Sequence, residues 1–132
     1  MFLGRPEEGI HHIEKAIRLN PRDPNIARPY AILGMCHLLL SRVDQGIDFL
    51  YQARAANPRF WWLHLTLAGA LGLRGDLNGA RTSLAESIKL KPEVNSFARF
   101  RAHMPWTTNP GYTALYEPTL HAGLRRAGFP DE

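Results

Sequence analysis

The sequence predicts an all-α fold of antiparallel helix pairs, and three observations carry that reading. Apolar residues recur with a period near 3.6, as on one face of a helix. No stretch alternates apolar and polar residues as a half-buried strand does. Three segments of similar pattern each run into a proline, through Leu19-Asn20-Pro21, Ala56-Asn57-Pro58 and Leu90-Lys91-Pro92.

The prolines set a register. Pro58 to Pro92 is 34 residues, and Pro21 to Pro58 is 37, the excess falling in a loop at Pro24-Asn25-Ile26. Twelve positions before each proline stand Gly9, Gly46 and Ala80; eight before stand Ile13, Leu50 and Leu84; five before stand Ala16, Ala53 and Ser87. Small side chains at these points let a neighbouring helix approach closely while the large one fills the space between them.

Taken in order, the first helix spans 6–19 and ends before Pro21. Asp23-Pro24 is a turn signal, followed by helices over 26–41 and 43–56; Asn57-Pro58 turns the chain into 60–74, and Gly75-Asp76 ends that helix and caps 77–90. Beyond Pro92 the pattern gives a helix around 94–102, a loop over 104–108 and a final helix from 110 to about 127. Asn109 is suited to cap it, Pro110 to open it and Gly128 to close it. Pro118 is expected to kink it near 114–117, because its ring collides with a preceding carbonyl and it donates no hydrogen bond.

This register resembles the tetratricopeptide repeat, whose period is 34 residues. Tyr30, Leu33, Gly34 and His37 fall where that family's first helix places its aromatic, leucine, glycine and tyrosine, and His64, Leu67, Ala68 and Leu71 follow more loosely. The resemblance implies one domain, a short right-handed superhelix with the second helix of a partial repeat at 6–21, repeats at 26–58 and 60–92, and capping helices over 93–132. The tail, Asn109 to Pro130, is similar to tetratricopeptide regions of rhizobial-type adenylate and guanylate cyclases and related regulators. Tail and half-repeat together imply the C-terminal module of a larger regulatory protein, with no cyclase catalytic motif in this chain.

In the family a concave groove is lined from the first helix of each pair, which here implies Arg28, Ala31, Met35, Leu38, Trp62, Leu65, Thr66 and Gly69 as partner-binding positions. The lining is apolar and lacks the asparagine and basic residues with which chaperone-tail binders clamp a carboxylate. Such a groove accepts an amphipathic helix, a second copy of the chain or the chain's own last helix. Phe60-Trp61-Trp62 serves either as an interface anchor or as the seal between repeats. The function expected is a protein-interaction scaffold that binds a protein partner or itself, with a homodimer as the favoured form.

Chemistry finds little footing. His11 and His12 are adjacent and diverge by about 100° on a helix, and no HExxH or paired Cys/His spacing occurs. His37 and His64 sit at helix-packing positions, where satisfied, partly buried rings are expected. Gly69 to Gly75 is glycine-rich, but no Lys-Ser/Thr pair follows and no strand precedes it. No catalytic residue, metal ligand or cofactor is expected, and the chain is not read as an enzyme.

A lone Cys36 inside an apolar helical pattern reads as a buried small hydrophobe in a reducing, cytoplasmic setting. No apolar window is long enough to span a membrane, and the first residues are too few for a signal sequence. A net charge of +4 permits acidic partners. The alternative of nucleic-acid binding, through Arg99, Arg101, Arg125 and Arg126 with Trp106 or Tyr112 as stacking partners, rests on that charge and is disfavoured by its scatter.

Overall fold

A computed structural model describes residues 5–132, without the side chains of Trp106 and Thr108. The helices run α1 (Pro6–Leu19), α2 (Ala27–Leu39), α3 (Val43–Ala56), α4 (Trp61–Arg74), α5 (Leu77–Leu90), α6 (Phe97–His103), α7 (Pro110–Tyr116) and α8 (Ala122–Ala127). No strand occurs among the described residues.

Local chemistry explains most of the ends. Pro6 opens α1 with Glu7 and Glu8 in its first turn, where carboxylates offset the positive end of the helix dipole. Asp76 accepts from the Gly79 amide at 3.0 Å to start α5, Ser96 from Arg99 at 3.2 Å to start α6, and Asn109 from Gly111 at 2.8 Å to start α7. The Ser96 cap is why α6 begins at Phe97 and not near Val94, which lies buried before it. Residues 105–108, expected as open loop, form a 3-10 turn.

Short connections make α2 and α3, then α4 and α5, antiparallel pairs. Their small residues permit a close crossing. A Cβ added to Gly46 would lie 2.8 Å from the Gly34 carbonyl oxygen, and one added to Gly34 would lie 2.7 Å from Leu50 Cγ. Leu50, Ala53, Ala80 and Ser87 are wholly enclosed or nearly so, as the small-large-small register requires. The helix α1 packs on α2 as α3 packs on α4, so the layers stack in one direction along the chain.

The last third departs from the repeat. Phe97 and Phe100 of α6 are buried, and Phe97 meets Phe129 edge-on with centroids 4.8 Å apart. The chain then returns to α6, where the Pro130 and Asp131 carbonyls accept from the Phe97 and Ala98 amides, each at 2.9 Å. The final helix is interrupted at Pro118, as its ring requires: α7 ends at Tyr116. Pro118 sits in a π-helical turn, Glu117–His121, that joins α7 to α8. Widening the turn lets the chain continue past a residue that cannot donate to the ladder.

Candidate interaction surface

The helices expected to line the groove, α2 and α4, are packed on by the chain's own C-terminal segment. The π turn rests on both helices, and α8 lies along α4. Here the expected groove positions are largely closed: Ala31, Met35, Leu38, Leu65, Thr66 and Gly69 are buried. Arg28 is exposed and Trp62 half-buried. Of the three occupants that an apolar groove admits, the structure contains the intramolecular one.

Glycine makes that docking possible. A Cβ at Gly72 would collide with the Gly123 backbone, one at Gly123 with the Gly69 carbonyl, and one at Gly69 with the Leu120 side chain. Leu120 and Leu124 are about fully buried. Arg126 donates to the Gly72 and Leu73 carbonyls at 3.4 and 3.5 Å, completing the exposed end of α4.

A polar cluster holds the C-terminal segment in shape. Glu117, His121 and Arg125 recur every four residues across the π turn and α8. Arg125 grips the Glu117 carboxylate with both terminal nitrogens, at 2.8 and 3.1 Å, and its guanidinium lies 5.0 Å over the Phe97 ring. His121 is buried, with Nδ1 3.1 Å from Glu117 and Nε2 3.3 Å from the Tyr112 hydroxyl. Burial lowers the His121 pKa, so the ring is neutral; because a carboxylate can only accept, Nδ1 carries the proton and Tyr112 donates to Nε2. The Arg125 and His121 hydrogen bonds hold the Glu117 pKa down at about 2. Burial raises the Tyr112 and Tyr116 pKa values, and the two rings stack with centroids 3.7 Å apart.

This constellation was not anticipated from sequence. Its four-residue spacing was visible; that the His121 ring would be enclosed by Phe97, Phe100 and the two tyrosines was not.

The other candidate residues fall apart. Arg125 and Arg126 are engaged within the chain and Tyr112 is buried, while Arg99 and Arg101 lie exposed on α6; the Trp106 side chain is outside the described set. Cys36 is enclosed, and burial pushes its thiol up to about 11. His64 donates to the Pro58 carbonyl at 2.6 Å, and His37 stacks on Phe49 at 5.2 Å with its Nδ1 lacking a partner. Among the described residues no His, Cys, Asp or Glu cluster suits a metal, and no helix is long and apolar enough to cross a membrane.

Apolar surface stays accessible at the start of α4 and on α1. At the start of α4, Phe60, Trp61 and Trp62 are half-buried, with Trp61 edge-on to His103 at 5.8 Å. On α1, Ile13 is half-buried, Ala16 exposed and Leu19 76% exposed. The register makes Ala16 the counterpart of Ala53 and Ser87, both fully enclosed by their paired helices. Thus α1 carries a packing stripe that no described helix covers.

No protein-family model matches the chain. A curated relative, U-box domain-containing protein 70 of Oryza sativa subsp. japonica, is 26% identical over 88 residues, which are 67% of this chain and 11% of that protein. The chain thus spans only about a tenth of the curated relative it matches. Among solved structures, MamA superposes with a TM-score of 0.61 at 20% identity, over 93% of this chain and 69% of that one. A further structure, MamA MSR-1 C2, gives 0.54 at 19% identity over 93% and 66%. No cyclase is among these proteins. What the likeness to MamA establishes is the fold, an all-helical, tetratricopeptide-like stack.

Proposed function

We propose that the chain is a protein-interaction module whose docking surface lies outside the concave groove. The observation that carries this reading is the contrast between groove positions closed by the C-terminal segment and Ala16 and Leu19 of α1, which are exposed among the described residues. Helical repeats recognise partners through side-chain surfaces held rigid by neighbouring helices, and α1 is held in that way by Ile10, Leu33 and Cys36. The six closed groove positions serve in this reading as the seat of α8, leaving Arg28 and Trp62 at the rim for contact. A module within a larger regulatory protein, working in the cytoplasm, fits the partial match to a much longer protein and the reduced, enclosed Cys36.

Photo-crosslinking in the native cell tests the proposal. A photoreactive residue at Leu19 should yield adducts with a defined protein, and one at Arg81 on α5 should not. Equal adducts at both positions, or none at Leu19, overturn it. Nucleic-acid binding is not retained as a second reading, because Arg125, Arg126 and Tyr112 already have partners within the chain.

A further inference from the structure

Consecutive helices joined by short turns run in opposite directions. The chain between α1 and α2, the chain between α3 and α4, and the chain leaving α5 therefore lie along one edge of the stack. These segments, 18–28, 54–60 and 89–93, each contain a proline-bearing turn, and together they hold seven of the sixteen Lys and Arg residues but two of the twelve Asp and Glu. Cations scattered in sequence are thus gathered by the fold.

The opposite edge is neutralised. There Arg5 pairs with Glu8, Arg42 with Glu7 and Arg74 with Asp44, each at 3.6 Å. Along the proline edge Lys91 pairs with Glu93 at 3.9 Å, and Asp23 accepts from the Asn25 amide at 2.9 Å. Arg18, Arg22, Arg28, Arg59 and Lys89 are exposed and enter no ion pair among the described residues.

Helix stability accounts for only part of this charge. Arg18, Arg54 and Lys89 lie in the last turns of α1, α3 and α5, where a cation offsets the negative end of the helix. Arg28 lies in the first turn of α2 and Arg59 just before α4, where a cation opposes the dipole, and neither helix has an acid in its first turn. Arg22 belongs to no helix. The fold gains nothing from these three positive charges.

An apolar contact lies on the same edge. Leu19, at the end of α1, is 76% exposed, while Phe60, Trp61 and Trp62 at the start of α4 are half-buried against the core. A lipid surface is held by several apolar side chains reaching below the headgroups, and Leu19 is the one large apolar residue of this edge that is exposed among the described residues. A phosphate backbone answers the charge and leaves Leu19 without a contact. A protein segment supplies both carboxylates and an apolar side chain, and a guanidinium grips a carboxylate through paired hydrogen bonds.

We infer that this edge binds an acidic segment of a partner protein, whose carboxylates pair with Arg22, Arg28 and Arg59 while an apolar side chain covers Leu19. The inference rests on the reading that Leu19 belongs to a docking face and names the chemistry of what docks there.

Fluorescence anisotropy of a labelled synthetic peptide of repeated Glu-Glu-Leu units, titrated with the full chain, tests the inference. Saturable binding is expected at low salt, weakening about tenfold between roughly 0.05 and 0.5 M salt as the charges are screened. Arg22→Glu with Arg28→Glu should weaken it about tenfold or more, whereas Arg42→Glu with Arg74→Glu, the same change of net charge on the opposite edge, should cost about twofold at most. Leu19→Ser should weaken it about threefold. All five positions are exposed, so the fold tolerates the changes. No binding, or equal loss from the two pairs of reversals, overturns the inference. Tighter binding to anionic phospholipid vesicles or to single-stranded RNA, with the same dependence on Arg22 and Arg28, overturns it as well. Photo-crosslinks from Leu19 to a partner segment without acidic residues would sink the charge reading and leave the docking face standing.

Discussion

Ser41 shows how a single residue departs from the logic of its surroundings. Three helix ends share one hydrogen-bonding scheme, in which two successive amides fold back to the last turn: Ser41 and Arg42 to Leu38 and His37, Gly75 and Asp76 to Gly72 and Leu71, Gly128 and Phe129 to Arg125 and Leu124. The scheme requires left-handed backbone at its first residue. Gly75 (φ 89°) and Gly128 (φ 96°) adopt it freely, whereas Ser41 (φ 61°) carries a Cβ against it. Ser41→Gly should therefore stabilise the protein by about 1 kcal/mol, and Gly75→Ala should destabilise it by about as much. Shifts of the urea midpoint in opposite directions check the pair. The residue scale also sets the pH dependence. His121 titrates below its ordinary 6.5 and Glu117 below its ordinary 4.5, so the unfolded chain binds more protons than the native one in acid. Stability present at pH 7 should fall as pH drops through 6.5, and fall further from 4.5 toward 2. In Glu117→Gln the lower part of that decline should flatten, which thermal melts across pH 3–7 would reveal.

At the scale of elements, the crossing of α4 and α8 decides whether the groove stays shut. Gly123→Val would drive a side chain into the Gly69 backbone, which cannot yield as a flexible side chain does. We expect about 3 kcal/mol or more of destabilisation, with Leu65 and Leu120 newly exposed and detectable by a hydrophobic dye. The repeats themselves were legible in the sequence because each packs residues at fixed offsets from its own proline. Gly46 beside Gly34 and Leu50 between them follow from spacing alone. The docking of α8 was not legible to the same degree. Gly69, Gly72 and Gly123 each advertise close approach, but 54 residues separate Gly69 from Gly123, and no periodicity says which glycine meets which. Pro118 announced an interruption, but not that the backbone there would widen into a π turn. Met35 and Leu65 are buried for a reason that local periodicity does not contain, since a distant segment of the chain packs on their helices.

The molecule as a whole is unequal at its two ends. Toward the C-terminus, α8 packs on α4 and α5, and the π turn rests on α2 and α4. On α1, by contrast, Ala16 is exposed among the described residues, whereas its counterparts Ala53 and Ser87 are enclosed. The closed end is tied back on itself, since the tail carbonyls of Pro130 and Asp131 occupy the first amides of α6. At seven residues α6 is too short to persist as an isolated helix, so it depends on that strap as much as on its own ladder. A consequence follows for local opening. The Phe97 and Ala98 amides cannot be released to water without the tail lifting, and the tail cannot lift far while Phe129 stays wedged against Phe97. In deuterium exchange these two amides should share one opening free energy with Phe129, although some thirty residues of sequence lie between them.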